Sequence, residues 1–196
     1  KYICGFRKNY STQYCLIWML EKFRKSLDNK GSSGVLLTDL SKAFDCLNLE
    51  LLIAKLEAYG FPTQSLSYIY SYLTDRQQRT KVNNAFSSWS NIKSRAPQGS
   101  ILGPLLFNIY LSDLFLLCDE LDIANYADDN TPYAIEPNID ELLKTLEHNT
   151  NILFTWFHNN EMKANDDKCH LLVINGKNNT IKIGNVELSG SDSVKL

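Results

Sequence analysis

Acidic residues lie at the ends of two predicted strands. The apolar run 35–40 predicts a short buried strand with Asp39 at its C-terminal end, and the run 121–127 predicts a second strand, followed by Asp128 and Asp129 in a tight turn. If the strands are neighbours, three carboxylates converge, and such like charges raise one another's pKa unless a cation neutralises them. Ligands that are all oxygen suit Mg²⁺. The acids therefore predict a two-metal site for phosphoryl transfer, in which one ion activates an attacking hydroxyl and the other stabilises the leaving group.

A simpler interpretation of the second pair of acids needs no metal. Asp128, Asp129 and Asn130 are all residues that favour turns. Turn formation, however, does not require an acid after the apolar run that precedes Asp39. The combination of the two segments, and neither segment alone, therefore supports a metal site.

A third segment has groups that could hold a nucleotide. The sequence PQGS at 97–100 precedes a predicted helix, and it offers a backbone bend, the side-chain amide of Gln98, Gly99 and the N–H groups of a helix N-terminus. The same residues equally suit an ordinary loop at the start of a helix.

Charge is divided unequally between the two halves of the chain. Residues 1–100 hold 14 Lys and Arg against 7 Asp and Glu, whereas 101–196 hold 6 against 15, and the net charge is −2. The basic half suits contact with a phosphate backbone, and the acidic half suits either a metal site or a solvated face. The most basic surface feature is a hairpin predicted between 77 and 95 around Asn83-Asn84, with the cations Arg79, Lys81, Lys93 and Arg95.

Helical and strand patterns are intermixed along the chain. Apolar residues at helical spacing predict helices that start after Ser11, run from Phe44 to Gly60, follow Pro62, and span 101–117 and 139–158. Further strands are predicted at 131–135 and 171–174, with a hairpin at 181–188. We therefore predict one domain of the α+β class, a sheet covered on one face by helices.

The cysteines and the hydropathy of the sequence limit the cellular compartment in which we expect the protein. The five cysteines show no CxxC or zinc spacing, which is typical of reduced thiols in an intracellular protein. No segment approaches the roughly 18 consecutive apolar residues of a membrane span, and residues 1–10 lack the apolar core of a secretory leader. A soluble intracellular protein without membrane contact is predicted.

Three motifs in a fixed order carry a resemblance to a known family. YADD at 126–129, DLSKAFD at 39–45 and PQGSILGP at 97–104 resemble boxes of the reverse transcriptases of non-LTR, LINE-like (jockey-type) retrotransposons. GFRKNYST at 5–12 resembles the fingers-side element of that family, and 162–168 resembles the segment after YADD. The resemblance implies a right-hand polymerase, with an antiparallel palm sheet packed on helices (about 35–60 and 97–196) and part of the fingers (about 1–34 and 61–96).

The same resemblance implies an activity and the roles of the acids. The activity is that of an RNA-directed DNA polymerase in retrotransposition, which adds dNTPs to a DNA primer 3′-OH on an RNA template with two Mg²⁺ ions, or Mn²⁺ in their place. Asp39 and Asp128 would bind both ions with help from the backbone carbonyl of Leu40, and Asp129 would support the pair.

Four more residues receive roles from the resemblance. Phe44 falls at the position of a steric gate that favours deoxynucleotides, although its spacing with Leu47 equally fits a core residue. Gln98 and Gly99 would contact the incoming nucleotide and template. Lys168 would protonate pyrophosphate, and the alternative is a solvated surface lysine.

The resemblance also implies what lies beyond these residues and which alternatives remain. A fingers strand that grips the triphosphate, a thumb and an endonuclease would lie outside 1–196, while 193–196 would begin the primer grip; action in the nucleus is implied. The alternatives are an inactive or domesticated relic that binds nucleic acid, an RNA-copying RNA polymerase, and a plain structural or metal-binding domain. Ala127 and Phe44 argue against the RNA polymerase. No feature of the sequence predicts an oligomeric state.

Overall fold

The computed structural model describes residues 5, 9–40, 43–92, 97, 99–117, 122–165, 168–174, 180–183 and 186–191. They form two compact units, one of residues 1–41 and 111–196 and one of residues 42–110. The helices are α1 (Thr12–Asp28), α2 (Leu49–Ala58), α3 (Thr63–Leu73), α4 (Leu102–Leu111), α5 (Leu114–Leu117) and α6 (Ile139–Asn159). The strands are β1 (Ser32–Leu37), β2 (Gln77–Gln78), β3 (Lys81–Val82), β4 (Ala85–Phe86), β5 (Ser90–Asn91), β6 (Asp122–Tyr126), β7 (Asp129–Glu136), β8 (His170–Ile174), β9 (Thr180–Ile183) and β10 (Val186–Ser191).

The first unit is built on one sheet with the strand order β6-β7-β1-β8-β10-β9. β1 lies between β7 and β8 and is antiparallel to both, and the β6–β7 and β9–β10 pairs are antiparallel hairpins. β10 runs parallel to β8, a pairing that the sequence did not predict. The α+β class and the mainly antiparallel sheet are confirmed.

Both faces of β1 are covered by helices. Val35 packs with Met19 and Phe23 of α1 and with Tyr133 of β7. A Cβ added to the neighbouring Gly34 would instead meet Leu142 and Leu146 of α6, 3.4 and 2.5 Å away, so α6 lies on the opposite face. Our prediction of helices on one face was therefore wrong. The reason is that β1 is apolar on both sides, and its first five residues are all buried.

α1 begins where its sequence predicted. The Ser11 hydroxyl accepts a hydrogen bond from the Tyr14 N–H at 3.2 Å, which satisfies one of the unpaired donors at a helix N-terminus. Lys22 ties the helix to the sheet, because its Nζ lies 2.5 Å from Asp122 Oδ2 on β6 and 2.8 Å from the Tyr133 hydroxyl on β7.

The second unit contains α2, α3, most of α4 and the four short strands. The rings of Phe44 and Phe107 stack with their centroids 4.3 Å apart. Lys55 is buried, and its Nζ donates to the Tyr110 carbonyl at 2.8 Å. No helix in the described part of the chain is long and apolar enough to cross a membrane.

Two predicted helices have different bounds in the structure. The helix predicted from Phe44 begins only at Leu49, because the side chain of Asn48 caps it by accepting from the Leu51 N–H at 2.9 Å, while Phe44 lies in a 3₁₀ turn. The helix predicted over 101–117 is interrupted between Leu111 and Leu114, since residues 112 and 113 form a turn. Gly60 lies just after the end of α2 with φ +86°, as predicted for a glycine that ends a helix.

Candidate active site

Asp39 lies directly after β1 and next to the start of β7. The partners in β1 and β7 run from Ser32↔Glu136 to Val35↔Tyr133, and the bridge Thr38↔Asn130 continues this register. One position further, the register brings Asp39 opposite Asp129. Side chains opposite each other on neighbouring strands have Cβ atoms about 5 Å apart. The strand predicted at 121–127 is therefore not itself the neighbour of β1, since β7 lies between them, but the β6–β7 hairpin brings its acids to the same end of the sheet as Asp39.

A tight turn joins β6 to β7 and presents Asp128. Tyr126 pairs with Asp129, so the turn has two residues, Ala127 and Asp128, rather than the predicted Asp128 and Asp129. Ala127 has φ +57°, a value typical of the primed turns that match the twist of a hairpin. Because this backbone region is unfavourable for a residue with a Cβ, by roughly 1 kcal/mol or more, neighbouring contacts must hold the turn.

Two buried asparagines provide those contacts. Asn125 and Asn130 are fully buried and pair across the hairpin. Nδ2 of Asn125 donates to Asn130 Oδ1 at 3.0 Å and to the Ala127 carbonyl at 2.8 Å, and Nδ2 of Asn130 donates to the Asp128 carbonyl at 3.1 Å. The two amides thus bond the carbonyls of the two turn residues, Ala127 and Asp128.

Gly5 packs against the same turn. It is buried, and a Cβ added to it would lie 2.2 Å from the Ala127 nitrogen and 2.9 Å from its Cα. Real Cβ atoms do not approach other atoms this closely, so only glycine allows this contact. The backbone at Gly5 and the two asparagines therefore enclose the turn.

Asp39 is held through its backbone. The Asn165 N–H donates to the Asp39 carbonyl at 2.8 Å, and Leu40 forms an antiparallel bridge with Ala164. The Asn165 N–H therefore bonds the carbonyl of Asp39 and not that of Leu40, which is the carbonyl predicted to assist the metal ions. Thr38 adds a second tie, because its buried hydroxyl donates to the Asn130 carbonyl at 2.7 Å.

Electrostatic coupling among the acids appears at Asp129. The pKa of this carboxyl is raised above its ordinary value of 3.8, first because the group is partly withdrawn from water, and then because Asp128 and Asp39 carry like charge nearby. Asp129 is nevertheless exposed to solvent, so water screens part of the repulsion from Asp128 and Asp39. A cation placed among the three acids would remove the repulsion.

The donor set suits a hard divalent cation, although its geometry is open. Carboxylate oxygens are the ligands that Mg²⁺ prefers. Within the described part of the chain, no three His, Cys, Asp or Glu side chains converge as closely as coordination of one ion requires. Instead, Nζ of Lys168 lies 3.0 Å from Asp39 Oδ2 and neutralises that carboxylate.

A cavity of about 530 Å³ opens beside the acids. Cys15 and Met19 of α1 form one apolar wall, while Asp39, Asp129 and Lys168 line its charged part. The cavity therefore joins an apolar surface to the cluster of charges.

The other predicted site residues lie in the second unit or outside the described residues. Phe44 is half-buried against Phe107, which supports a core role. Gly99 is exposed with φ +79°, and nothing lies within 4 Å of a Cβ added there. Arg79 and Lys81 lie on the exposed β2–β5 hairpin. Outside the described residues lie Gln98, Lys93, Arg95 and the predicted start of the primer grip at 193–196.

Sequence reasoning missed three residues that hold the site. Asn125 follows Ile123 at strand spacing and so falls at a buried position of β6, where an amide needs partners. This signal in the sequence was available, whereas nothing local indicated that Gly5 would contact Ala127. Thr38 was treated only as part of an apolar run.

The fold resembles solved polymerases. Telomerase from Candida albicans, in complex with the TWJ fragment of telomeric RNA, superimposes with a TM-score of 0.62 over 96% of this chain and 35% of that chain, at 14% identity. Apo telomerase from Candida tropicalis, truncated from its C-terminal domain, gives 0.61 over 91% of this chain and 38% of that chain, at 15% identity. The chain therefore has the palm and fingers fold of a right-hand polymerase.

The family is defined by the sequence itself. The family model for reverse transcriptase (RNA-dependent DNA polymerase) matches residues 1–195, and the chain belongs to this family. It is 28% identical over 171 residues to a probable RNA-directed DNA polymerase from transposon BS and 28% identical over 176 residues to that of the mobile element jockey, both of Drosophila melanogaster. These matches cover 84% and 86% of the chain but only 19% of either relative, so the chain spans about a fifth of their length.

Proposed function

We propose that this chain is the polymerase region of a non-LTR retrotransposon reverse transcriptase, which adds dNTPs to the 3′-OH of a DNA primer on an RNA template. The observation that carries the proposal is the meeting of Asp39 with Asp128 and Asp129 at the ends of neighbouring strands. The raised pKa of Asp129, caused first by burial and then by the like charges of Asp128 and Asp39, agrees with this arrangement.

Reverse transcriptases typically use divalent metal ions. Asp39 and Asp128 would hold two Mg²⁺ ions, or Mn²⁺, with the Leu40 carbonyl as an additional ligand and Asp129 as a supporting charge. Bound there, the ions would activate the primer hydroxyl and neutralise charge on the phosphates. The chain itself contributes position, because Asn165 holds the Asp39 backbone and the Asn125–Asn130 pair holds the turn that carries Asp128.

Lys168 and residues of the second unit complete the proposal. Lys168 already contacts Asp39, so its ammonium lies beside the acids, where it could donate a proton to pyrophosphate. Gln98 and Gly99 would contact the incoming nucleotide and template. Phe44 would act as the steric gate while packing on Phe107.

The domain assignment and partners belong to the same proposal. Residues 35–60 and 97–196 would be palm, and 1–34 and 61–96 fingers-side elements. The basic residues Arg79, Lys81, Lys93 and Arg95 would contact the nucleic-acid backbone. An RNA template is supported by the telomerase relative that was solved with an RNA fragment. The nucleus would be the site of action.

Primer extension tests the proposal. Asp39→Ala and Asp128→Ala, made in a longer protein that contains this chain, should each lower dNTP incorporation on an RNA template by roughly 10³-fold or more, because each removes ligands worth several kcal/mol to the transition state. Asp28→Ala, at the exposed end of α1, is the matched control and should keep full activity. Extension retained by Asp128→Ala would refute the mechanism, and incorporation of NTPs in preference to dNTPs would indicate an RNA polymerase.

The open geometry of the acids favours one competing function. If the wild-type protein binds an RNA–DNA duplex but extends no primer in Mg²⁺ or Mn²⁺, the chain is an inactive reverse transcriptase that retains nucleic-acid binding.

A further inference from the structure

The hairpin of β2, β3, β4 and β5 carries two exposed aromatic rings. Phe86 is 52% exposed and Trp89 is 58% exposed, although large aromatic side chains normally contribute to a core. Arg79 lies against both, with its guanidinium carbon 4.1 Å from the Phe86 ring centroid and 4.5 Å from that of Trp89. The two rings and the guanidinium therefore form one surface cluster.

An irregularity in the hairpin brings the rings together. Gln78 pairs with Ser90 and Lys81 pairs with Phe86, so two residues lie between these pairs on one strand and three on the other. Phe86 and Trp89 are three positions apart, and in a regular strand they would point to opposite faces. The extra residue acts as a β-bulge and allows both rings to contact Arg79.

The charge around the cluster has one sign. In the described segment 76–92 the chain has three Lys and Arg and no Asp or Glu. Lys81 extends the charge along the hairpin, with its Nζ 5.4 Å from the Phe86 ring centroid. An anionic partner is therefore favoured over a neutral or cationic one.

We infer that Phe86 and Trp89 form a stacking platform for unpaired bases, so that this hairpin binds single-stranded nucleic acid. The inference rests on the proposed function, in which the basic residues of the hairpin contact a nucleic-acid backbone. It adds that the bound nucleic acid is single-stranded, because aromatic rings stack on bases only where the bases are not already paired and stacked within a duplex. Arg79 and Lys81 would contact the phosphates that flank the stacked bases.

A protein partner explains the cluster less well. Exposed aromatic residues with Arg are also common at protein interfaces, where apolar neighbours usually surround them. Here the residues between the rings are Ser87 and Ser88, and the opposite strand offers Gln77 and Gln78. These polar neighbours provide little apolar area for a protein, and the exposed Val82 on β3 adds only one further apolar side chain.

Fluorescence anisotropy with the full 196-residue chain tests the inference. The probes are a short fluorescein-labelled oligouridylate and a blunt RNA–DNA duplex of the same length, without primer or dNTP. We expect Trp89→Ala and Phe86→Ala each to weaken oligouridylate binding by roughly 5- to 150-fold, the range for loss of one stacked base, with a much smaller effect on the duplex. Lys81→Ala should lower the slope of log affinity against log salt by roughly 0.7 for the single strand.

Matched variants separate stacking from folding and from catalysis. Trp89→Phe keeps a ring and should retain most of the affinity, while Tyr68→Ala removes an equally exposed ring on α3 and should change nothing. Equal binding by Trp89→Ala and wild type would overturn the inference and leave the surface to a protein partner. So would duplex binding that falls as much as single-strand binding. Neither result depends on polymerisation, because the assay contains neither primer nor dNTP.

Discussion

Asn125 and Asn130 face each other across the β6–β7 hairpin, and the amide of Asn125 donates to Oδ1 of Asn130 at 3.0 Å in a fully buried position. Both flank the turn of Ala127 and Asp128, which Asp129 follows as the first residue of β7. Since the same amides also bond the carbonyls of Ala127 and Asp128, the pair couples the packing of the sheet to the direction of the acids. Stability and site geometry should therefore change together when the pair is altered.

Replacing Asn125 by Leu should lower the free energy of unfolding by about 1–3 kcal/mol, because it removes the amide that donates to the buried Asn130 Oδ1 and to the partly buried Ala127 carbonyl. Urea unfolding measures this. Asn159→Leu, at the exposed end of α6, is the control and should stay within about 0.5 kcal/mol of wild type. The double variant Asn125→Leu/Asn130→Leu should cost less than the sum of the single changes, and strict additivity would contradict a direct coupling.

The acids could be predicted from the sequence because each follows an apolar run that ends in the core. Their meeting depends on β1 pairing with β7, a contact between residues nearly a hundred positions apart that local spacing cannot specify. The predicted helix bounds were wrong where a local cap overrides the apolar periodicity, as at Asn48, whose side chain caps α2 so that it begins at Leu49 and not at Phe44. The parallel partner of β8 and the contact of Gly5 with Ala127 are also long-range, so no local pattern indicated them.

Gly5→Ala should loosen the β6–β7 turn, because the added methyl would overlap the Ala127 backbone. Hydrogen exchange of the amides in 122–131 should become faster, while exchange in β8 should change little. Gly60→Ala is a useful comparison, since it strains a left-handed residue of the second unit but meets no atom within 4 Å. Unchanged exchange at the turn in Gly5→Ala would mean that the contact does not restrain it.

Asp129→Asn should stabilise the metal-free chain at neutral pH. The pKa of Asp129 is raised in the folded state, so between 3.8 and that raised value the folded chain binds a proton that the unfolded chain lacks. Stability therefore falls as pH rises through this window and remains reduced above it. The difference in unfolding free energy between variant and wild type should be present at pH 7 and disappear below 3.8. A difference that is independent of pH would rule out this origin.

The ammonium of Lys168 pairs with Asp39, the carboxylate that would also bind a metal ion. Removing the lysine should therefore affect metal binding and catalysis in opposite directions. Its ammonium lies 3.0 Å from Asp39 Oδ2, and 63% of its side chain is exposed, so the pair contributes at most about 1 kcal/mol. Lys168→Met should therefore tighten Mg²⁺ binding by up to about fivefold in calorimetry, since the ion no longer competes with the ammonium. Primer extension should fall if Lys168 also donates the proton to pyrophosphate. Lys163→Met, at another exposed lysine, should alter neither quantity. Weaker Mg²⁺ binding in Lys168→Met would show that the lysine supports the metal site rather than competing for Asp39.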